Sequence, residues 1–387
     1  MRLLFGVSGS AGDLFPLVPV ATALVADGHE VRWVTPRGLG LYLRSTGWTS
    51  STSLGLGEEL KVITDRQLFT TDFNGWRSWR RTIDQYVAPT LDADVKVVCN
   101  LINQWFPDAV VTSGFAVAVR IAAALTGTPN CELSIYPQHA RLATQFKFCH
   151  IARRTVAALA GTADPQHVSR LLWGSPPDVL LHDPMLLGYE SKAIGFPYWD
   201  DLEQGDAIVN EILEWLHDRS EPAVLCTLGS FVGLNAPNAW IEILKALQET
   251  DVRALIIGAN SRTRADIGER HPQHKVSAFV PLSRVLAPFR VAIHHGGIGT
   301  TYGAIRAGVP AVVLPQAFDQ TFNAQLVETA GCGLNASRLG LTASLARAIS
   351  DSNLKSQTVA MSRVLIDPEE AVRAAVAKIA AFGSLQP

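Results

Sequence analysis

Repeatedly along the chain a short apolar run ends in a glycine-bearing turn that opens directly into a helical pattern. This strand-to-helix junction limits the possible folds more than any other feature. In the first half, residues 3–7 form the apolar run, Ser8 to Asp13 the turn, and residues 17–27 the helix. Gly28 stops that helix and residues 30–34 begin a new strand. Two strands joined through a helix lie side by side and parallel. The motif returns at residues 109–112 and 116–125, and a fresh alternation runs from residue 223 onward. There, residues 223–227, 254–258, 276–279, 291–294 and 311–314 read as strands, the last of these being the final clear one. Residues 240–249 and 301–307 read as helices. The expected fold class is therefore α/β, with two Rossmann-like doubly wound domains facing a central cleft. The turn-rich Phe196-Pro197-Tyr198-Trp199-Asp200-Asp201 marks the change of unit. Expected bounds are 1–205, 206–365, and a C-terminal helix in 366–387 that packs back on the first domain.

Composition excludes several classes. At 387 residues, with 48% hydrophobic and 18% charged side chains, the chain can bury two sizeable cores. A net charge of −2 supplies no field that would draw the molecule to nucleic acid. Five scattered cysteines without CxxC spacing argue against a disulfide framework or a zinc site and for a cytoplasmic protein. The first strand starts almost at Met1, which leaves no room for a signal peptide, and no apolar stretch is long enough to span a bilayer. Membrane association is expected to be peripheral at most, through the short basic pair Arg153-Arg154.

The segment His294-His295-Gly296-Gly297-Ile298-Gly299-Thr300-Thr301 carries the chemistry. A strand ends, glycines allow close backbone approach, and a helix opens with two hydroxyls at its start. Free N–H groups and the positive end of the helix dipole suit that spot to phosphate. An adjacent imidazole adds a hydrogen bond. Gly308-Val309-Pro310 closes the helix, and the next strand leads to Asp319-Gln320, a carboxylate beside an amide that fits the paired hydroxyls of a sugar.

Residues 276–333 closely resemble the nucleotide-sugar signature of the family 1 glycosyltransferases of the GT-B fold. Gly9-Ser10-Ala11-Gly12-Asp13-Leu14-Phe15-Pro16 resembles the GSxGDxxP opening of bacterial members that glycosylate lipids, sterols and natural products. Gly195-Phe196-Pro197 is similar to the linker of the rhamnolipid rhamnosyltransferases. The resemblance implies that His295 and the helix start at Thr300 and Thr301 hold the diphosphate of a UDP- or TDP-sugar, with Gly297 and Gly299 permitting its approach. It implies that Gly229 and Ser230 touch phosphate from the other side, with Ser10 and Gly12 in the same nucleotide-facing set. Phe279 stands where the family stacks an aromatic on the base, and Val280 where backbone reads it. Phe in place of the commoner Trp leaves uridine and thymidine both open. Asp319 and Gln320 would contact the donor sugar, and Asp13 would be the catalytic base. Many relatives carry His at that position, oriented by an acid late in the first sheet. Here Val111-Thr112-Ser113 offers none, and a carboxylate can accept a proton without such a partner.

The expected reaction is an inverting transfer to the hydroxyl of a small, apolar acceptor, with no cofactor and no metal. Two alternatives remain: a nucleotide-sugar epimerase on the same fold, and a degenerate homologue that activates a partner. Asp13 is also placed to cap the helix that follows, and the two roles are compatible. Asp92-Ala93-Asp94 matches a metal-binding DxD but falls in a helical stretch; it reads as a solvated surface pair, as does Asp200-Asp201. Phe69, Phe73, Trp76, Trp79, Phe146 and Phe148 line either an acceptor pocket or the core.

Overall fold

A computed structural model of the protein describes residues 1–45, 48, 51–54, 83–114, 116–136, 155, 179–187, 193–200, 206–218 and 221–384. The aromatics Phe69, Phe73, Trp76, Trp79, Phe146 and Phe148, the pair Arg153 and Arg154, and Asp201 lie outside these residues.

Two six-stranded sheets, parallel throughout, organise the chain. The first comprises β1 (Arg2–Gly6), β2 (Glu30–Pro36), β3 (Ser51–Leu54), β4 (Ala109–Ser113), β5 (Asn130–Ser134) and β6 (Val179–Leu180). The second comprises β7 (Ala223–Thr227), β8 (Arg253–Ile257), β9 (Lys275–Ser277), β10 (Val291–His294), β11 (Ala311–Val313) and β12 (Gly333–Asn335). Counted from each unit's own first strand, both sheets have the order 3-2-1-4-5-6. Each therefore reverses direction between its first and fourth strands, and the crevice beyond the carboxyl ends of those strands is where such sheets hold ligands. In the first sheet Phe5 of β1 pairs with Val111 of β4. In the second, Cys226 of β7 pairs with Ile293 of β10.

The central strands β1, β4, β7 and β10 are buried along almost their whole length because helices cover both faces of a parallel sheet. Leu3, Leu4 and Phe5 are wholly buried, and the Phe5 ring packs against Trp33 at 5.0 Å between centroids. Burial of each such side chain contributes ~1.5–3 kcal/mol. The helix Val117–Thr126 lies so close on β1 that a Cβ at Gly6 would come within 2.7 Å of Val119. β12 extends the sheet beyond the strand expected to be the last. It is three residues long, and Gly333 presses on Ala311, where a Cβ would sit 2.2 Å from the carbonyl oxygen. So short a strand with a glycine in it carries no periodicity to read.

The helix Asp206–His217 buries Val209 and Ile212 in the core of the second sheet. The last helix, Pro368–Ser384, returns to the first unit, where Ala375 and Ile379 join its core beside the helix Leu17–Ala26. The units are also joined through a ring stack and polar bonds. Phe196 stacks on Tyr302 at 4.5 Å, and the Tyr302 hydroxyl accepts the Asp183 N–H at 2.7 Å. Asp183 Oδ2 in turn accepts the Ile366 N–H at 2.6 Å.

Asp200 corrects the solvated reading. It is buried and accepts three bonds, from Tyr198 Oη at 2.8 Å, Ser283 N at 2.9 Å and Ser283 Oγ at 2.6 Å. It ties the connecting segment to the second unit. In the helix Leu91–Trp105, Asp92 is exposed and bonded by Thr155 Oγ1 at 2.5 Å, whereas Asp94 is buried, so this pair is not solvated as a whole either. Among the described residues no helix is long and apolar enough to cross a membrane.

Candidate active site

The turns after β1, β7 and β10 open into one cleft of about 1040 Å³ between the two units. Every expected site residue lines it except Thr301.

On the first unit, Ser10 caps the four-residue helix Ala11–Leu14 and Asp13 occupies its third position in a reciprocal capping box. Asp13 Oδ2 accepts the Ser10 N–H at 2.7 Å and the Ser10 hydroxyl at 3.2 Å; that hydroxyl accepts the Gly12 N–H at 3.2 Å. The Ser10 side chain is therefore engaged in the turn, rather than being held out for a phosphate. Gly9, at φ +116°, must be glycine, because a Cβ there would lie 2.3 Å from the Asp13 carboxylate. Asp13 Oδ1 accepts the Tyr136 hydroxyl at 2.7 Å. The expectation that Asp13 stands without an orienting partner is thus corrected: the partner is a phenol just beyond β5. Burial pushes the Asp13 carboxyl above its ordinary pKa, and the bonds from Tyr136 and Ser10 work against that rise.

On the second unit, the helix Ile298–Arg306 begins earlier than expected. Gly297 caps it in extended backbone, so both threonines fall inside the first turn. Thr301 is buried, and its N–H and Oγ1 both bond back to the Gly297 carbonyl, at 2.9 and 3.0 Å. The unpaired amides of the helix start belong to Ile298, Gly299 and Thr300. Gly299 has open space where a Cβ would stand.

Gly297 serves a different neighbour: a Cβ there would sit 2.5 Å from His295 Nε2, and one at Gly229 would sit 2.8 Å from the same nitrogen. Both glycines thus make room for the imidazole, which is wedged between the turns after β7 and β10. Burial lowers the His295 pKa to about 4, with the Thr227 backbone opposing, so the ring is neutral at neutral pH. His294 is buried below, where its Nδ1 accepts the Gly296 N–H at 3.1 Å.

Asp319 stands at the N-cap position of the helix Gln320–Thr329 without a side-chain capping bond, and accepts the Asn323 amide at 2.9 Å. Burial, with the charge of Asp13 adding to it, lifts its pKa to about 7, so a carboxyl of the first unit acts on one of the second across the cleft. The Gln320 Oε1 accepts the N–H groups of Gln316 and Ala317 at 2.8 and 3.0 Å, which engages half of that amide in shaping its own loop. Phe279 is part-exposed in the cleft wall. The Val280 side chain is buried in the second core, leaving its backbone to face the cleft. Phe15, Tyr42 and Trp199 add an apolar flank, with Phe15 edge-on to Tyr42 at 5.8 Å and to Trp199 at 5.4 Å. Among the described residues no group of three or more His, Cys, Asp or Glu side chains is placed to hold a metal ion.

Residues 241–380 match the model for the erythromycin biosynthesis protein CIII-like, C-terminal domain. Over 372 residues the chain is 25% identical to the 3-alpha-mycarosylerythronolide B desosaminyl transferase of Saccharopolyspora erythraea, covering 86% of each. It is 27% identical over 347 residues to the elloramycin glycosyltransferase ElmGT of Streptomyces olivaceus, covering 86% of this chain and 85% of the relative. The chain is a glycosyltransferase of the GT-B fold. The transferase also superposes on the spinosyn rhamnosyltransferase SpnG complexed with thymidine diphosphate. That match has a TM-score of 0.71 at 21% identity and covers 97% of this chain and all of the other.

Proposed function

We propose that this glycosyltransferase moves a sugar from a thymidine or uridine diphosphate donor to a hydroxyl of a small apolar natural-product aglycone. The reaction is a single displacement with inversion, and no metal takes part. The observation that carries this reading is the pairing, across one cleft, of a buried carboxylate at Asp13 with the helix start at Ile298 and the imidazole of His295. Asp13 accepts the proton of the acceptor hydroxyl, whose oxygen attacks the anomeric carbon from the face opposite the leaving group. The bond to the diphosphate breaks and its electrons leave with the diphosphate. The amides of Ile298, Gly299 and Thr300 and an N–H of His295 meet the negative charge that grows there. These groups do the work that a divalent ion performs elsewhere, and Phe279 stacks on the base.

Thymidine diphosphate is favoured over uridine diphosphate by the neighbour solved with it, and an aglycone acceptor by the relatives' names. The apolar flank of Phe15, Tyr42 and Trp199 suits such an acceptor. The test supplies TDP- and UDP-sugars with macrolactone, aromatic polyketide and sterol aglycones, with and without EDTA. Released nucleotide and the anomeric configuration of the product are measured. Inverted glycoside, insensitive to EDTA and absent with Asp13→Asn, is expected. Turnover by Asp13→Asn at the wild-type rate would remove Asp13 from the mechanism.

A further inference from the structure

Tyr136 stands two residues past the end of β5 and is held more firmly than a loop residue requires. Its backbone is bracketed by one hydroxyl: Ser134 Oγ accepts the Tyr136 N–H and donates to the Tyr136 carbonyl, both at 3.1 Å. Its ring passes over the turn after β4, where a Cβ on Gly114 would come within 3.3 Å of Tyr136 Cδ2. The phenol is 5% exposed and directs its hydroxyl at Asp13 Oδ1. On the far side, Asp13 Oδ2 is engaged by Ser10 and backs onto Gly9. Oδ1 is therefore the oxygen not tied into the turn, and Tyr136 is its partner.

We propose that Tyr136 is the positioning residue of this transferase: it fixes the plane of the Asp13 carboxylate and leaves one lone pair of Oδ1 open to the acceptor hydroxyl. The inference rests on Asp13 acting as base. The acceptor proton passes to Oδ1 while Tyr136 keeps its own. Burial and the charges of Asp13 and, across the cleft, Asp319 push the phenol's pKa well above its ordinary value, so it stays a donor throughout. Donation to the ionised carboxylate favours that form, so losing it moves the Asp13 titration upward.

The experiment titrates Asp13 by infrared difference spectroscopy against Asp13→Asn, with no substrate present, in wild type, Tyr136→Phe and Ser134→Ala. Tyr136→Phe should raise the midpoint by about one pH unit, a common size for one lost hydrogen bond to a carboxylate. The acid limb of kcat/KM for glycoside formation should move with it, while TDP affinity stays unchanged. Ser134→Ala keeps the phenol, frees its bracket, and should shift the midpoint the same way by less. It carries the test if Tyr136→Phe does not fold. An unmoved midpoint in the folded variants overturns the inference, even if Asp13→Asn is inactive. Full turnover by Asp13→Asn would instead sink the assignment of Asp13 as base.

Discussion

At the scale of single residues, burial in the cleft disfavours the charged forms of Asp13, His295 and Asp319. His295 is neutral at neutral pH, and a diphosphate placed at the helix start would restore its incentive to hold a proton. His295→Ala should therefore weaken TDP binding by ~1–3 kcal/mol, about 5- to 150-fold, the scale of a hydrogen bond to a charged group. Titration calorimetry reads this directly, and unchanged affinity would mean the phosphate site lies elsewhere. Asp319 gives a pH signature of its own. Its folded pKa of about 7 lies above the ordinary 3.8, so between those values the folded state holds a proton that the unfolded chain has released. Its contribution to stability is full below pH 4 and is lost as pH rises through 7. Asp319→Asn removes that loss. Its melting temperature should exceed that of wild type above pH 7 and converge with it at pH 4. Parallel melting curves across this range would argue that Asp319 titrates normally.

At the scale of elements, the start of the helix Ile298–Arg306 decides which groups can meet a phosphate. Gly297 as cap leaves the amides of Ile298, Gly299 and Thr300 unpaired and directs Thr301 back onto the carbonyl of Gly297. Thr301→Val should cost stability by ~0.5–1.5 kcal/mol, the net worth of one internal hydrogen bond. It should leave TDP affinity unchanged in the same calorimetric assay, and a marked loss of affinity would put Thr301 back in the site. The GGxGTT spacing made a helix and its glycines legible, but not the residue on which the helix opens. A cap is set by local dihedrals, and glycine accepts either side of the boundary.

At the scale of the whole molecule, two units of identical strand order share one cleft, and its geometry depends on the segment between them. Asp200 is an acceptor for both Tyr198 and Ser283 and so links that segment to the second unit. Asp200→Ala would leave three donors without their acceptor. It should lower stability by ~1–3 kcal/mol, seen as an earlier thermal midpoint. A midpoint equal to wild type would show that the joint is held by the apolar stack of Phe196 on Tyr302 instead.

The sequence by itself determined the repeated strand-to-helix alternation, the parallel sheets it implies, the glycine-rich turn after β10 that opens into a helix, and the prominence of Asp13 and Asp319. All of these depend on neighbours within a few residues, where periodicity, glycine and capping chemistry act. Only the tertiary structure brought Tyr136 to Asp13 across 123 positions, buried Asp200 against Ser283, and set the His295 ring between Gly229 and Gly297. The first and last of these join separate strand ends, and the second joins the connecting segment to a short helix. The parallel register that brings them together is fixed by the packing of whole sheets, not by any local run of residues.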